Sequence, residues 1–427
     1  MRITAVETVR LPAHPEYLWV RLETDEGLVG TGETMPRVGS VERVVHDVLA
    51  PVVLGADVAA EAIWTRSFET ISYHGYAGAE LRALSAIDIA VWDLVGQAAG
   101  LPVHRLLGGP CRDRIPAYNS CASTGAIRDH ERFTDDPVGL ARELIDEAYP
   151  AMKIWPFDVL STASDGQRID RAQLLAGCRA FGAIRDAVGD QIDIALEGHS
   201  CWGLPAAISI ATALEEFHPM WLEDMLHARR PEAWAQLRES TSIPLCGSER
   251  AFTRWGIAPY LDAGAVDVVN QDLCWTGGFT EFTKVAALAA LHELPVAPPQ
   301  LSRPGRGDGH HPRRGGDPQP VSARIGAGLH QGLLRRDRRR SPAGRRDGNC
   351  RPRTARAGCE PSRRRARGRQ PGTFRGGLDR SQRVGPRRPL VGPTRRSDLS
   401  RSVMPPAVPR RVRFSGPCGR VRVPSAE

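Results

Sequence analysis

The sequence predicts an α/β protein: a small α+β capping unit, then a (β/α)₈-type TIM barrel short of its last strand, then an Arg-rich tail. Three observations carry this reading. Apolar runs of four to six residues alternate with amphipathic stretches from residue 115 to 297. A period of two with a hairpin turn fills the first 34 residues. After Pro298 both periodicities stop.

Residues 3–11 (ITAVETVRL) and 17–34 (YLWVRLETDEGLVGTGET) alternate apolar and polar side chains, and Asp25-Glu26-Gly27 suits a hairpin turn. Helical stretches near 41–53 and 58–73 complete a unit of about 100 residues. Residues 80–99 (ELRALSAIDIAVWDLVGQAA) place apolar residues at helical spacing, and Gly100 and Pro102 end that helix. From Ile115 strands are expected at 115–118, 151–155, 192–197, 219–223, 243–247, 266–271 and 294–297. Helices are expected near 137–148, 170–188, 204–217, 231–240, 253–263 and 278–292. Asp136-Pro137 makes a good helix start, the acid as cap and the proline in the first turn. Strand, helix, strand at this spacing means parallel βαβ units, and seven in a row favour a closed barrel over an open sheet. The domains expected are 1–110 (cap), 111–298 (barrel) and 299–427 (tail).

Charge divides the chain at the same place. Residues 301–427 hold 33 Arg, no Lys and 8 acids; residues 1–300 hold 24 basic and 41 acidic residues. An acidic body argues against nucleic acid as its partner. The tail is rich in Arg, Gly and Pro and poor in aromatics, so it cannot bury enough apolar surface to offset its conformational entropy and is expected to be disordered. Nine Cys are scattered without a CxxC pair, which suits reduced thiols rather than disulfides or zinc. The start lacks an apolar signal core and no run approaches the roughly 20 apolar residues of a spanning helix, so a cytoplasmic protein without a membrane partner is expected.

Four expected barrel strands end in acids: Glu197 in IDIALEGH, Glu223 and Asp224 in MWLED, Glu249 in IPLCGSE and Asp272 in VDVVNQD. Successive spacings of 26, 26 and 23 residues are close to one βα unit each. Adjacent parallel strands therefore deliver Glu197, Glu223 and Glu249 to the C-terminal rim, where barrel active sites sit. Three carboxylates converging in a dry pocket would repel strongly, and a hard divalent cation offsets that; oxygen-only ligands suit Mg²⁺. The bland alternative is that these acids cap helices or pair with surface Arg. Lys153 ends the second barrel strand and is one of only two Lys in the chain, with Lys284. His199 lies two residues beyond Glu197, on the same side of an extended segment.

These motifs resemble the mandelate racemase and muconate lactonizing branch of the enolase superfamily. The resemblance covers residues 1–298, about 70% of the chain. SAIDIAVWDLVGQAAGLPVHRLLGG (85–109) is similar to that branch's helix signature, and the acid ladder is similar to its metal ligands. The resemblance implies that Glu197, Glu223 and Glu249 hold Mg²⁺. It implies abstraction of a proton α to a carboxylate, with the metal stabilising the enediolate. Residues 14–35 would border the pocket. Lys153 would accept that proton or only orient the substrate carboxylate, because the family's second lysine position holds Trp155. Glu-Gly-His resembles the acid-x-His of sugar-acid dehydratases, where the histidine protonates the leaving hydroxyl. Trp155 and Trp202 would wall the pocket or serve as plain core. A small carboxylate substrate and a homo-oligomer are expected if the barrel is intact. Dehydration leads; racemisation needs a base on each face, and cycloisomerisation stays open.

The pattern breaks after the seventh strand. Asp272 would orient a base histidine about 27 residues on, at position 299, where Pro299 stands. The genetic code permits one explanation: codons for Pro-Gln-Leu-Ser-Arg (299–303), shifted by one base, can read His-Asn-Cys-Arg-Gly. An Arg excess without Lys also fits GC-rich DNA read out of frame. The chain as written is therefore expected to be impaired. A metal-binding pseudoenzyme and a tail that binds polyanions with steep salt dependence are the rivals.

Overall fold

The computed structural model describes residues 1–12, 14–112, 114–124, 127–299 and 418–422. The cap opens as an antiparallel meander of β1 (Ile3–Leu11), β2 (His14–Thr24) and β3 (Val29–Thr34). Its hairpin turns at Gly27, whose φ of 79° is left-handed. Register pairs Val6 with Leu22 and Leu22 with Gly30, so the alternation sends Val6, Leu18, Val20 and Leu22 to one buried face. Val38 to Val53 form a broken helix with a π-helical turn at Val44–Leu49. Two helices follow, α1 (Ala60–Ser72) and α2 (Ala79–Ala99), the latter ended by Gly100 at φ 65°.

Helix α2 lies against β3 with backbone nearly touching backbone. A side-chain carbon on Gly32 would collide with the carbonyl of Ala86, and one on Gly30 with that of Ala90. The glycines of Val-Gly-Thr-Gly-Glu are thus the room that lets the helix settle on the strand.

The second unit is a parallel sheet. Its strands are β4 (Tyr118–Asn119), β5 (Ala151–Ile154), β6 (Asp193–Glu197), β7 (Leu222–Glu223), β8 (Leu245–Gly247) and β9 (Val268–Val269), neighbours in that order. Val296 bridges Val269 in parallel, which marks the seventh strand. Helices α3 (Pro137–Asp146), α4 (Arg171–Val188), α5 (Leu204–Leu214), α6 (Pro231–Glu239), α7 (Thr253–Asp262) and α8 (Gly278–Leu291) alternate with them. Asp136 caps α3 by accepting from Gly139 N at 2.9 Å, as the sequence predicts. An apolar core from Phe133 through Val296 lies between sheet and helices.

Two short helices, Asp129–Asp135 and Asp158–Ser161, and a small hairpin of Ser123–Thr124 with Ile127–Arg128 were not expected from periodicity. They are too short to display a period. An eighth strand and most of the expected disordered tail fall outside the described residues. Within that tail, Cys418–Arg422 forms β10, antiparallel to β1, with Thr8 opposite Gly419. Among the described residues no helix is long and apolar enough to cross a membrane.

The cap is seated on the loop before α8. Gly277 N donates to Ser85 Oγ at 2.9 Å, Thr280 N to Asp88 Oδ2 at 3.0 Å, and Trp92 Nε1 to Thr280 Oγ1 at 2.9 Å. Trp64 Nε1 donates to Gly277 O at 2.8 Å, and Trp275 Nε1 to Met35 O at 2.7 Å. The polar residues of an otherwise apolar helix thereby satisfy the first amides of another helix.

Candidate active site at the strand ends

Register decides which acids meet. Glu197 pairs directly with Glu223 across β6 and β7, so the two carboxylates leave neighbouring strands at one level. Neighbouring strands are about 4.8 Å apart, too close for two bare carboxylates to sit without a cation. Lys153, from β5, supplies one. Its Nζ donates to Glu197 Oε2 at 2.7 Å and to Glu223 Oε1. All three are buried.

Other donors reach the same two carboxylates. Glu197 Oε1 accepts from His199 N at 2.8 Å. Glu223 accepts from Trp221 Nε1 at 2.9 Å and Asn270 Nδ2 at 2.8 Å. Tyr118 presents its ring 5.4 Å from Lys153 Nζ. Burial works against the Lys153 charge, yet the two glutamates outweigh it and hold the ammonium well above its usual pKa. Burial likewise opposes the Glu197 charge, but Lys153 outweighs it and holds Glu197 low. Burial pushes Glu223 up, the Glu197 charge adding to the shift and Lys153 opposing it. Of the two roles expected for Lys153, this arrangement suits orienting a carboxylate better than accepting a proton.

Glu249 stands apart from that pair. Cys246 is the residue level with Glu223, and Glu249 follows three positions later. It lies beyond the end of β8 and after Ser248, whose φ of 91° turns the chain. Glu249 makes no hydrogen bond or ion pair among the described residues. Burial, then the charges of Asp272, Glu223 and Glu197, push its carboxyl up. Among the described residues no three His, Cys, Asp or Glu side chains are gathered closely enough to hold an ion. The donor chemistry nevertheless fits a hard cation: a positive group is already seated between two of the three carboxylates, and the charges of those two still act on the third.

Around this centre stand the other residues singled out from sequence. His199, at φ 43°, has Nδ1 2.5 Å from Asp158 Oδ2. Its ring meets Trp155 edge-on at 5.4 Å. Trp155 is half-buried beside it, whereas Trp202 is buried core. Asp272 is buried and accepts from Cys274 N at 2.7 Å, capping the turn Leu273–Thr276. Burial raises its pKa to about 7, with Cys274 N–H and Arg82 opposing. Pro299 is half-buried and offers no imidazole for Asp272 to orient. Asp224 is buried and paired with Arg250 Nη1 at 2.9 Å, which also donates to Ser200 Oγ at 2.7 Å.

Sequence reasoning missed Asp158, Trp221, Asn270 and Arg82. Asn270 and Trp221 flank acids at strand ends, and that position could have flagged them. Nothing local marks Asp158, whose partner lies 41 residues away. Arg82 belongs to α2 and stacks over Trp275 at 4.5 Å, a contact between units far apart in sequence.

Comparison with known proteins places both units. Residues 3–108 match the model for the mandelate racemase / muconate lactonizing enzyme N-terminal domain, and residues 137–305 that for the enolase C-terminal domain-like family. A D-galactonate dehydratase of Xanthomonas oryzae pv. oryzae is 35% identical over 302 residues, 70% of this chain and 74% of that protein. One from Pectobacterium atrosepticum is 31% identical over 301 residues, again 70% and 74%. Among solved structures, an enolase protein from environmental sequencing of the Sargasso Sea shares 43% identity at a TM-score of 0.64, covering 70% of this chain and 78% of that one. A mandelate racemase subgroup enolase from Agrobacterium tumefaciens shares 37% at a TM-score of 0.66, covering 71% and 79%.

Proposed function

The chain belongs to the mandelate racemase and muconate lactonizing enzyme family of the enolase superfamily, and from that premise we propose that it is a Mg²⁺-dependent sugar-acid dehydratase. The observation that carries the reading is the pair Glu197 and Glu223, level on adjacent strands and closed around the Lys153 ammonium, with His199 two residues beyond. Glu197, Glu223 and Glu249 would hold the metal, which would stabilise negative charge developing on the substrate carboxylate. The dehydratases similar to this chain are named for D-galactonate, so six-carbon aldonic acids are the first substrates to try.

The protein's own groups divide the reaction in two. His199 is the acid for the leaving hydroxyl; its Nε2, without a hydrogen bond among the described residues, is the edge that a substrate would meet. The α-proton half is weaker. Lys153 is protonated and gripped by two carboxylates, which suits orienting a carboxylate better than accepting a proton. Asp272 has Pro299 where its histidine would stand. Dehydration by the chain as written is therefore expected to be slow. Racemisation has less support, because Trp155 fills the position of a second base beside Lys153.

The test is Mg²⁺ titration of the full chain, followed by thermal melting and by screening a sugar-acid panel for 2-keto-3-deoxy products. The expected result is a Mg²⁺-dependent rise in Tm that Glu223→Gln abolishes, with measurable dehydration of at least one acid. A melting curve indifferent to Mg²⁺, together with no product from the whole panel, would end the proposal.

A further inference from the structure

The segment that follows β5 does more than connect it to a helix. We propose that Asp158 is a positioning residue that holds His199 so that only Nε2 can pass a proton to the leaving hydroxyl of a sugar acid; this rests on the dehydratase reading above. The geometry is specific. His199 Nδ1 lies 2.5 Å from Asp158 Oδ2, and His199 N donates to Glu197 Oε1 at 2.8 Å. The ring packs edge-on against Trp155 at an interplanar angle of 81°. Trp155 is itself stacked on His130 at 5.4 Å and set against Phe133 at 5.1 Å. One stretch, Trp-Pro-Phe-Asp, thus supplies both the wall and the carboxylate that grip the imidazole.

That stretch is anchored. Phe157 is fully buried under α4, where any side chain on Gly177 would collide with its ring. Asp158 is the first residue of the short helix Asp158–Ser161, one position after its Phe157 N-cap. Its Oδ1 is buried without a hydrogen-bond partner among the described residues. Asp158 stands inside the first turn rather than at the cap, and its Oδ2 is committed to His199, which is how a carboxylate fixes the tautomer and direction of a catalytic imidazole.

The α-proton leaves to a water molecule from solvent, which takes the place of the missing dyad histidine, and its bonding pair becomes the new C=C bond. The C–O bond of the neighbouring hydroxyl breaks with its electron pair on oxygen. The Nε2 proton of the His199 imidazolium joins that oxygen, water departs, and neutral imidazole keeps its Nδ1 proton on Asp158.

The experiment uses the full chain with D158A, D158N, D158E, H199A and D158A/H199A. Turnover of the panel acid is measured beside the imidazole ¹H–¹⁵N spectrum. In the unaltered chain a hydrogen-bonded Nδ1 proton of His199 is expected far downfield, and D158A removes it. D158A is expected to lower kcat by about 10- to 100-fold with KM changed less than about twofold. D158E should recover part of the loss, and D158N, which keeps the volume, should fall between. In the H199A background D158A should cost nothing further. A full additional loss there, an effect on KM alone, or a spectrum without the Nδ1 proton would overturn the proposal. No turnover by the unaltered chain, with that proton present, sinks the dehydratase reading instead and strips Asp158 of any part in it.

Discussion

Asp88 sits in an apolar helix, 1% exposed, with one oxygen on Thr280 N and the other without a partner among the described residues. Burial lifts its pKa to about 7, although the Thr280 bonds oppose the shift. The folded protein therefore holds this proton more tightly than the unfolded chain, whose aspartates release it near the ordinary value of 3.8. Stability contributed by protonated Asp88 is full below about pH 4 and is lost as pH rises toward 7. Urea unfolding across that window should show Asp88→Asn gaining on the unaltered chain by up to about 1.4 kcal/mol per pH unit. A difference independent of pH would show that burial does not control this carboxyl. The residue also marks a limit of sequence reading. SAIDIAVWD is legible as a helix, but the reason for an acid inside it is a backbone amide 192 residues away. Lys153 is a similar case: its place after an apolar strand singles it out, while its two partners are set by strand register.

At the level of elements, period carried most of the reading and spacing carried the rest. Helices α4 and α8 and strand β6 fall within one residue of expectation, because long periodic stretches must bury one face. The 26-residue interval gave the order of the acids but not their level. Level depends on strand stagger and on where a chain bends, as at Ser248, and neither leaves a mark in spacing. Close approach is legible only afterwards. Gly30 and Gly32 read as ordinary turn-and-strand glycines, yet each meets a carbonyl of α2. Gly32→Val should therefore force helix and strand apart and cost about 1–3 kcal/mol, occasionally more. Chemical denaturation should register that as a lower midpoint at unchanged slope. Valine has a higher strand propensity than glycine, so a gain in stability would mean that the helix can yield and the packing argument is wrong.

For the whole molecule the decisive feature is where the parallel sheet ends. Among the described residues it runs from Tyr118 at one end to the Val296 bridge at the other. Strand ends left without a neighbour expose unpaired amides and carbonyls and invite association. The matched dehydratases extend beyond the aligned part, which covers 74% of their length. Beyond Pro298 this sequence turns to an Arg-rich composition, for which a shifted reading frame is the hypothesis. We predict that restoring the frame at that codon supplies a histidine at position 299 and a chain able to complete the sheet. The repaired protein should melt at least about 10 °C higher, a gain of a few kcal/mol for a chain of this size, and turn over the panel acid faster at equal Mg²⁺. Pro299→His alone, in the unrepaired chain, should leave Tm nearly unchanged, since one side chain cannot pair a sheet edge. Calorimetry on the three proteins separates the two effects. Equal melting temperatures for the original and repaired chains would mean that the sheet needs nothing from the shifted frame, and the tail would then have to be taken as the protein's own.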